Sequence, residues 1–201
     1  MATRIIVVIS ITLLFAWTAT TQTKWKGQNP KAQVFETDGL ITSWQWLNPL
    51  PQGNTLYGIH TDSVNAFAVG AVSTVIKGNN LGNNWSVQHY AGGVTSALLG
   101  VYFPSNTIGI AVGESGTILR TVNAGTSWTL QASGTTENLH GVYFSNNDTG
   151  VVVGSSGTIL RTTNGGVSWV NQTSGVNVTL NAIYFSSAPT GTAVGDNGKI
   201  L

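Results

Sequence analysis

The sequence contains no cysteine. That excludes disulfides, thiolate metal sites, a thiol nucleophile and a lipid-modified N-terminal cysteine. Charge is almost as scarce. Only 7% of the 201 residues are Asp, Glu, Lys or Arg, against about 25% in ordinary domains. The formal net charge of +1 supplies no field that would recruit nucleic acid or an anionic membrane surface. Three histidines, His60, His89 and His140, share no metal-ligand spacing, so neither a metal nor any other cofactor is expected. The Gly-x-x-Gly segments join apolar strand-like runs and precede no helix, which excludes a phosphate loop.

What is abundant is glycine, 25 residues, together with Ser, Thr and Asn. Gly and Asn supply the positive φ that tight turns require, and 201 residues suffice for a sizeable core. The balance is that of an all-β chain with many short turns.

The N-terminus has the order of a secretory signal. Arg4 is the positive region, Ile5 to Trp17 is a mostly apolar stretch, and small residues follow from Thr18 to Thr21. The apolar stretch is too short to span a bilayer core of roughly 30 Å. Residues 1–21 are therefore expected to be a signal peptide and 22–41 a linker. The mature chain is expected to be exported to the periplasm, cell surface or medium, with no stable membrane span after cleavage.

From residue 42 onward the chain repeats with a period of about 41 residues. Gly58, Gly100, Gly141 and Ala182 occupy equivalent segments, as do Gly70, Gly113, Gly154 and Gly195. Self-similarity at this spacing is the mark of a repeat architecture. In the unit 98–133 it reads as four strands, 99–103, 108–112, 117–121 and 127–132, joined by a Pro-Ser-Asn turn, a Gly-x-x-Gly turn and an Asn-x-Gly turn. Val101, Tyr102 and Phe103 run consecutively, as do Ile118 and Leu119. A sheet with one wet face would alternate instead. Each small sheet is therefore expected to lie between neighbours, as in a β-propeller of four-stranded antiparallel blades; a solenoid or sandwich is the alternative. The blades fall at about 56–88, 98–133 and 139–173, with a partial one at 180–201.

The turn before each tryptophan is the strongest local motif. Its copies carry Asn80, Gly82 and Trp85, then Asn123, Gly125 and Trp128, then Asn164, Gly166 and Trp169. Asn bonds to its own turn, Gly permits left-handed backbone, and Trp offers a large ring to bury. These are structural roles.

The motif resembles the bacterial neuraminidase repeat, or Asp-box, with Asn in place of Asp. The wider unit Gly-x-x-Gly-Thr-Ile-Leu-Arg-Thr, followed by Asn-x-Gly and Trp, resembles the photosystem II assembly/stability factor-like repeat family over residues 44–201. The resemblance implies a propeller. It also implies that basic residues at one repeat position contribute to a binding surface.

Thr42-Ser43-Trp44 resembles a lone fourth strand, and Gly198-Lys-Ile-Leu201 matches Gly116-Thr-Ile-Leu119. A partial or truncated propeller is one reading. Closure of the last sheet by the strand around Trp44, giving four blades, is the other.

Lys77, Arg120 and Arg161 occupy the same third-strand position in consecutive repeats, so a propeller would set them in a row. That row is the candidate binding site for a protein partner; the bland alternative is stems packed and charges wet. No catalytic residue is expected. Arg120 and Arg161 are too few for a sialidase arginine cluster, and Glu114 and Asp196, which share a turn position, read as exposed turn acids. The expected function is an exported, non-enzymatic propeller scaffold for protein–protein interaction. A photosystem II assembly factor and a fragment of a carbohydrate-active, sialidase-like enzyme are the alternatives.

Overall fold

The computed structural model describes residues 53–62, 64–79, 84–88, 93–187 and 190–201. The expected signal segment, the linker and the strand around Trp44 lie outside these residues, as do Asn80, Gly82 and His89.

Three sheets have the same construction. Strands β1 (Leu56–Thr61), β2 (Asn65–Gly70), β3 (Thr74–Asn79) and β4 (Asn84–Gln88) pair antiparallel in chain order. Strands β5 (Leu98–Tyr102), β6 (Gly109–Gly113), β7 (Ile118–Thr121) and β8 (Thr129–Gln131) repeat the arrangement. So do β9 (Leu139–Phe144), β10 (Gly150–Gly154), β11 (Ile159–Thr162) and β12 (Val170–Gln172). Strands β13 (Leu180–Ser187) and β14 (Thr190–Gly195) form a two-stranded sheet, along which Leu201 exchanges backbone hydrogen bonds with Ala193. The described elements are strands and short 3-10 turns, and none is a helix long and apolar enough to cross a membrane.

The sheets stack through both faces, as the doubly apolar strands require. All five residues of β6 are buried. Phe67, Val69 and Val75 of the first blade form one core cluster with Phe103, Ala111, Leu119 and Trp128 of the second. Ile110, Val112 and Ile118 of the second blade form the next cluster with Phe144, Val152, Leu160 and Trp169 of the third. First strands lie side by side: β1 beside β5, β5 beside β9, and β9 beside β13. They make an inner row, as radial packing of propeller blades demands.

Close approach along this row explains the recurrent small residue. A Cβ added at Gly58 would come 2.8 Å from the Leu99 carbonyl oxygen of the next blade, and one at Gly100 would come 3.0 Å from that of His140. Each first strand also carries a bulge at the same place, just after Leu56, Leu98, Leu139 and Leu180. A bulge bends the strand and re-aims one side chain, here Tyr57, Leu99, His140 and Asn181.

The fourth strand is shorter than its apolar content predicts. Ser127 and Trp128 belong to the turn, because the Ser127 amide bonds the Asn123 side chain and β8 begins only at Thr129.

Candidate functional site

The Asn-x-Gly turn is closed by side chains. In the second blade the Thr121 hydroxyl donates to Asn123 Oδ1 (2.9 Å), which also accepts the Ser127 amide (2.9 Å). Asn123 Nδ2 donates to Ser127 Oγ, and the Gly125 amide donates to Thr121 Oγ1. The third blade repeats the set with Thr162, Asn164, Gly166 and Ser168. Gly125 and Gly166 have φ of 77° and 80°, the left-handed region the motif predicts. Trp128 and Trp169 are buried and meet Phe103 and Phe144 edge to face. Trp128 Nε1 donates to the Gly125 carbonyl; Trp169 Nε1 has no hydrogen-bond partner among the described residues. Trp85 differs from both: it is half-buried within β4, opposite Gly78.

The three cations do share one register. Lys77 faces Phe67, Arg120 faces Ile110 and Arg161 faces Val151 on the neighbouring strand. Two of them are engaged inside the fold. Lys77 Nζ donates to the Ala124 carbonyl (2.9 Å) and lies 5.6 Å from the Phe67 ring centroid. Arg120 Nε donates to the Gly165 carbonyl (2.7 Å). Ala124 and Gly165 hold the same position in successive Asn-x-Gly turns. The basic residue of one blade therefore latches onto the tryptophan turn of the next. Arg161 is exposed and has no hydrogen-bond partner among the described residues, so the accessible charge of the row is concentrated there.

A second row was not singled out from the sequence. His60, Tyr102, Tyr143 and Tyr184 stand at one position of the four inner strands. Their ring centroids are 4.6, 4.9 and 5.3 Å apart in turn. Tyr102 and Tyr143 are half-buried, and Tyr184 is 63% exposed. Burial pushes the Tyr102 hydroxyl up to about 12, with Tyr143, through its charge and its hydrogen bond, and Tyr184 adding to the effect. Burial holds the His60 imidazole below its ordinary value, against the opposing pull of Asp62 and of a bond with the Phe103 backbone. The signal for this ladder was a tyrosine recurring every 41 residues from 102 to 184. It was masked because Tyr-Phe also reads as core.

Four of the described acids, Asp62, Glu114, Glu137 and Asp196, serve local structure. Burial works to raise the Asp62 carboxyl, but the Asn65 and Val64 amides, the Asn65 side chain and His60 together hold it below the usual range. Glu114 accepts the Ala97 amide, Glu137 the Ser156 hydroxyl and Asp196 the Asn181 side chain. His140 Nε2 and Ser155 Oγ are 3.0 Å apart. Among the described residues no three His, Cys, Asp or Glu side chains cluster closely enough to hold a metal ion.

No family model and no curated protein sequence matches the chain. Solved structures do. The chain is similar to YCF48 in a structure with a bound D1 peptide: the TM-score is 0.62 at 20% identity, over 73% of this chain and 48% of that one. It is similar to the computationally designed Ika4 protein with a TM-score of 0.64 at 14% identity, over 79% of this chain and 97% of that one. An ancestral GH74 enzyme matches with a TM-score of 0.60 at 18% identity, over 80% of this chain and 24% of that one. The chain thus spans about half the length of the YCF48 chain. These likenesses show the fold: four-stranded antiparallel blades of the β-propeller kind, as the repeat period predicts.

Proposed function

We propose that this chain is an exported, non-enzymatic propeller scaffold whose blades present a binding surface to a protein partner. The observation that carries the reading is the aromatic ladder. Four rings on four blades form one continuous row, partly open to solvent, on a framework stiffened by blade-to-blade latches. Tyrosine offers large contact area at low entropic cost and is enriched in protein interfaces. Arg161 adds an accessible positive charge, which favours an acidic or carboxylate-bearing partner. Export rests on the order of charge, apolar stretch and small residues in 4–21.

Likeness to YCF48 favours one more specific version, an assembly factor that holds a segment of a photosystem II subunit. The carbohydrate-active alternative draws on the likeness to a GH74 enzyme.

Chemical cross-linking of the full chain in the exported fraction of its source cells tests the scaffold reading. The expected result is one reproducible polypeptide partner, with recovery lowered at least about tenfold by Tyr143→Ala with Tyr184→Ala, a loss of about 1.4 kcal/mol. A photosynthetic subunit among the partners supports the assembly-factor version. Recovery unaffected by the double substitution, or release of reducing sugar from a polysaccharide by the purified chain, overturns the proposal. The same fraction reports export: the mature N-terminus, read by mass spectrometry, should fall near residues 18–22.

A further inference from the structure

The described residues contain no sulfur: cysteine is absent from the sequence, and its single methionine is Met1. Thiols and thioethers are the side chains that oxidants ordinarily reach first. Without them, a one-electron oxidation of these repeats must settle on an indole or a phenol.

The aromatic rings are joined from the core to the ladder. Trp128 meets Phe103 at 5.9 Å, Phe103 stacks on His60 at 6.1 Å, and His60 lies 4.6 Å from Tyr102. Trp169 meets Phe144 at 6.1 Å, and Phe144 stacks on Tyr102 at 6.1 Å. From Tyr102 the ladder runs to Tyr143 and Tyr184 in steps of 4.9 and 5.3 Å. The phenyl rings bridge these steps; the indoles and phenols give up the electrons. Trp169 Nε1 has no hydrogen-bond acceptor among the described residues. Its indole therefore keeps its proton when oxidised. The resulting radical cation draws an electron from a phenol whose proton leaves to water.

We infer that the ladder is the sink for one-electron oxidation of these repeats, and that Tyr143 and Tyr184 are its cross-linking site. The inference goes beyond the scaffold reading and does not rest on it. An outer-sphere one-electron oxidant, a high-valent metal complex, takes one electron from each phenol, directly or through an indole. Each hydroxyl proton passes to water. The two phenoxyl radicals then join ortho carbon to ortho carbon. Each of those carbons releases its hydrogen as a proton, and each phenol oxygen takes one back. The linked pair is two hydrogens lighter than two tyrosines, and two equivalents of oxidant are reduced. Tyr143 and Tyr184 meet at 68°, which brings the edge of one ring to the other. Tyr102 is set apart from this step, because burial pushes its hydroxyl up to about 12 and it holds its proton.

The test irradiates the dilute full chain with a trisbipyridylruthenium(II) sensitiser and a cobalt(III) ammine as electron acceptor. Trypsin then cuts after Arg120, Arg161 and Lys199, which leaves Tyr143 and Tyr184 as the lone tyrosines of separate peptides, Thr121–Arg161 and Thr162–Lys199. Mass spectrometry should find these two peptides joined and lighter by two hydrogens. A mixture of isotopically heavy and light chain should give no mixed pair. Tyr184→Phe should abolish the pair with an unchanged far-UV spectrum. Tyr143→Phe with Tyr184→Phe should raise oxidised indole at Trp128 and Trp169 severalfold. Absence of the pair, its equal formation in the urea-unfolded chain, or mixed pairs at the random proportion overturns the inference. So does indole oxidation that is the same with and without the two hydroxyls.

Discussion

Asn123 Oδ1 accepts one hydroxyl and one amide, both of which a carboxylate oxygen would accept equally. Only its Nδ2 contact to Ser127 Oγ needs an amide, and that hydroxyl can turn to donate instead. Hence Asp should serve at this turn position as well as Asn does. Asn123→Asp should change unfolding free energy by no more than about 0.5 kcal/mol. Asn123→Ala, which strands the turn's donors, should lower it by about 1–2 kcal/mol. Urea denaturation of the two variants distinguishes a polar turn from a mere spacer. Tyr102 carries a second prediction at this scale. Its hydroxyl ionises near 12 in the folded chain and near 10 when unfolded. Below pH 10 both states are neutral. Between about 10 and 12 the unfolded state releases the proton first, so stability falls as pH rises through that window. Absorbance at 295 nm should show a tyrosine titrating near 12, and Tyr102→Phe should remove that step. The turn was legible residue by residue because its bonds span at most four positions. The ladder was not, because its partners meet only once four strands are laid side by side.

The strands themselves were easy to place, since the repeats give several independent readings of one pattern. The reference strands 99–103, 108–112 and 117–121 are observed within one residue at either end. The fourth strand is shorter than expected for a local reason: the Asn side chain draws the Ser127 amide out of any ladder. The role of the basic row was hidden for a non-local one, because Lys77 and Arg120 reach acceptors 47 and 45 residues away. Register equivalence predicted a row; it could not predict which member would find a carbonyl. The latch makes the consequences unequal. Arg120→Met keeps the packed stem and loses a partly buried charged bond, so it should lower stability by about 1–2 kcal/mol. Arg161→Met should stay within about 0.5 kcal/mol. Because Asn164 holds the turn that offers the Gly165 carbonyl, Arg120→Met and Asn164→Ala should couple. A double-mutant cycle by urea unfolding is expected to give an interaction energy of at least about 0.5 kcal/mol, whereas Arg161→Met with Asn164→Ala should be additive.

Stacked repeats that touch only their neighbours hold stability as a sum of blade and interface terms. The second blade is clamped by core clusters on both faces. Its β6 is wholly buried, and β10 of the third blade is nearly so. The β14 strand, by contrast, has a single buried residue. Amide exchange should follow this order, with β6 and β10 protected to the global limit and β13 and β14 opening by smaller, local events. Trp169→Ala turns that order into a test of how the blades communicate. Removing this buried indole costs about 3–5 kcal/mol and loosens the interface where Arg120 holds the third blade. If coupling is nearest-neighbour, exchange accelerates in β9–β14 while β1–β3 keep their protection, because the cluster joining Phe67 to Trp128 is intact. If protection instead collapses evenly across all blades, the described repeats unfold as one unit, and the latches serve to bind the whole rather than each adjacent pair.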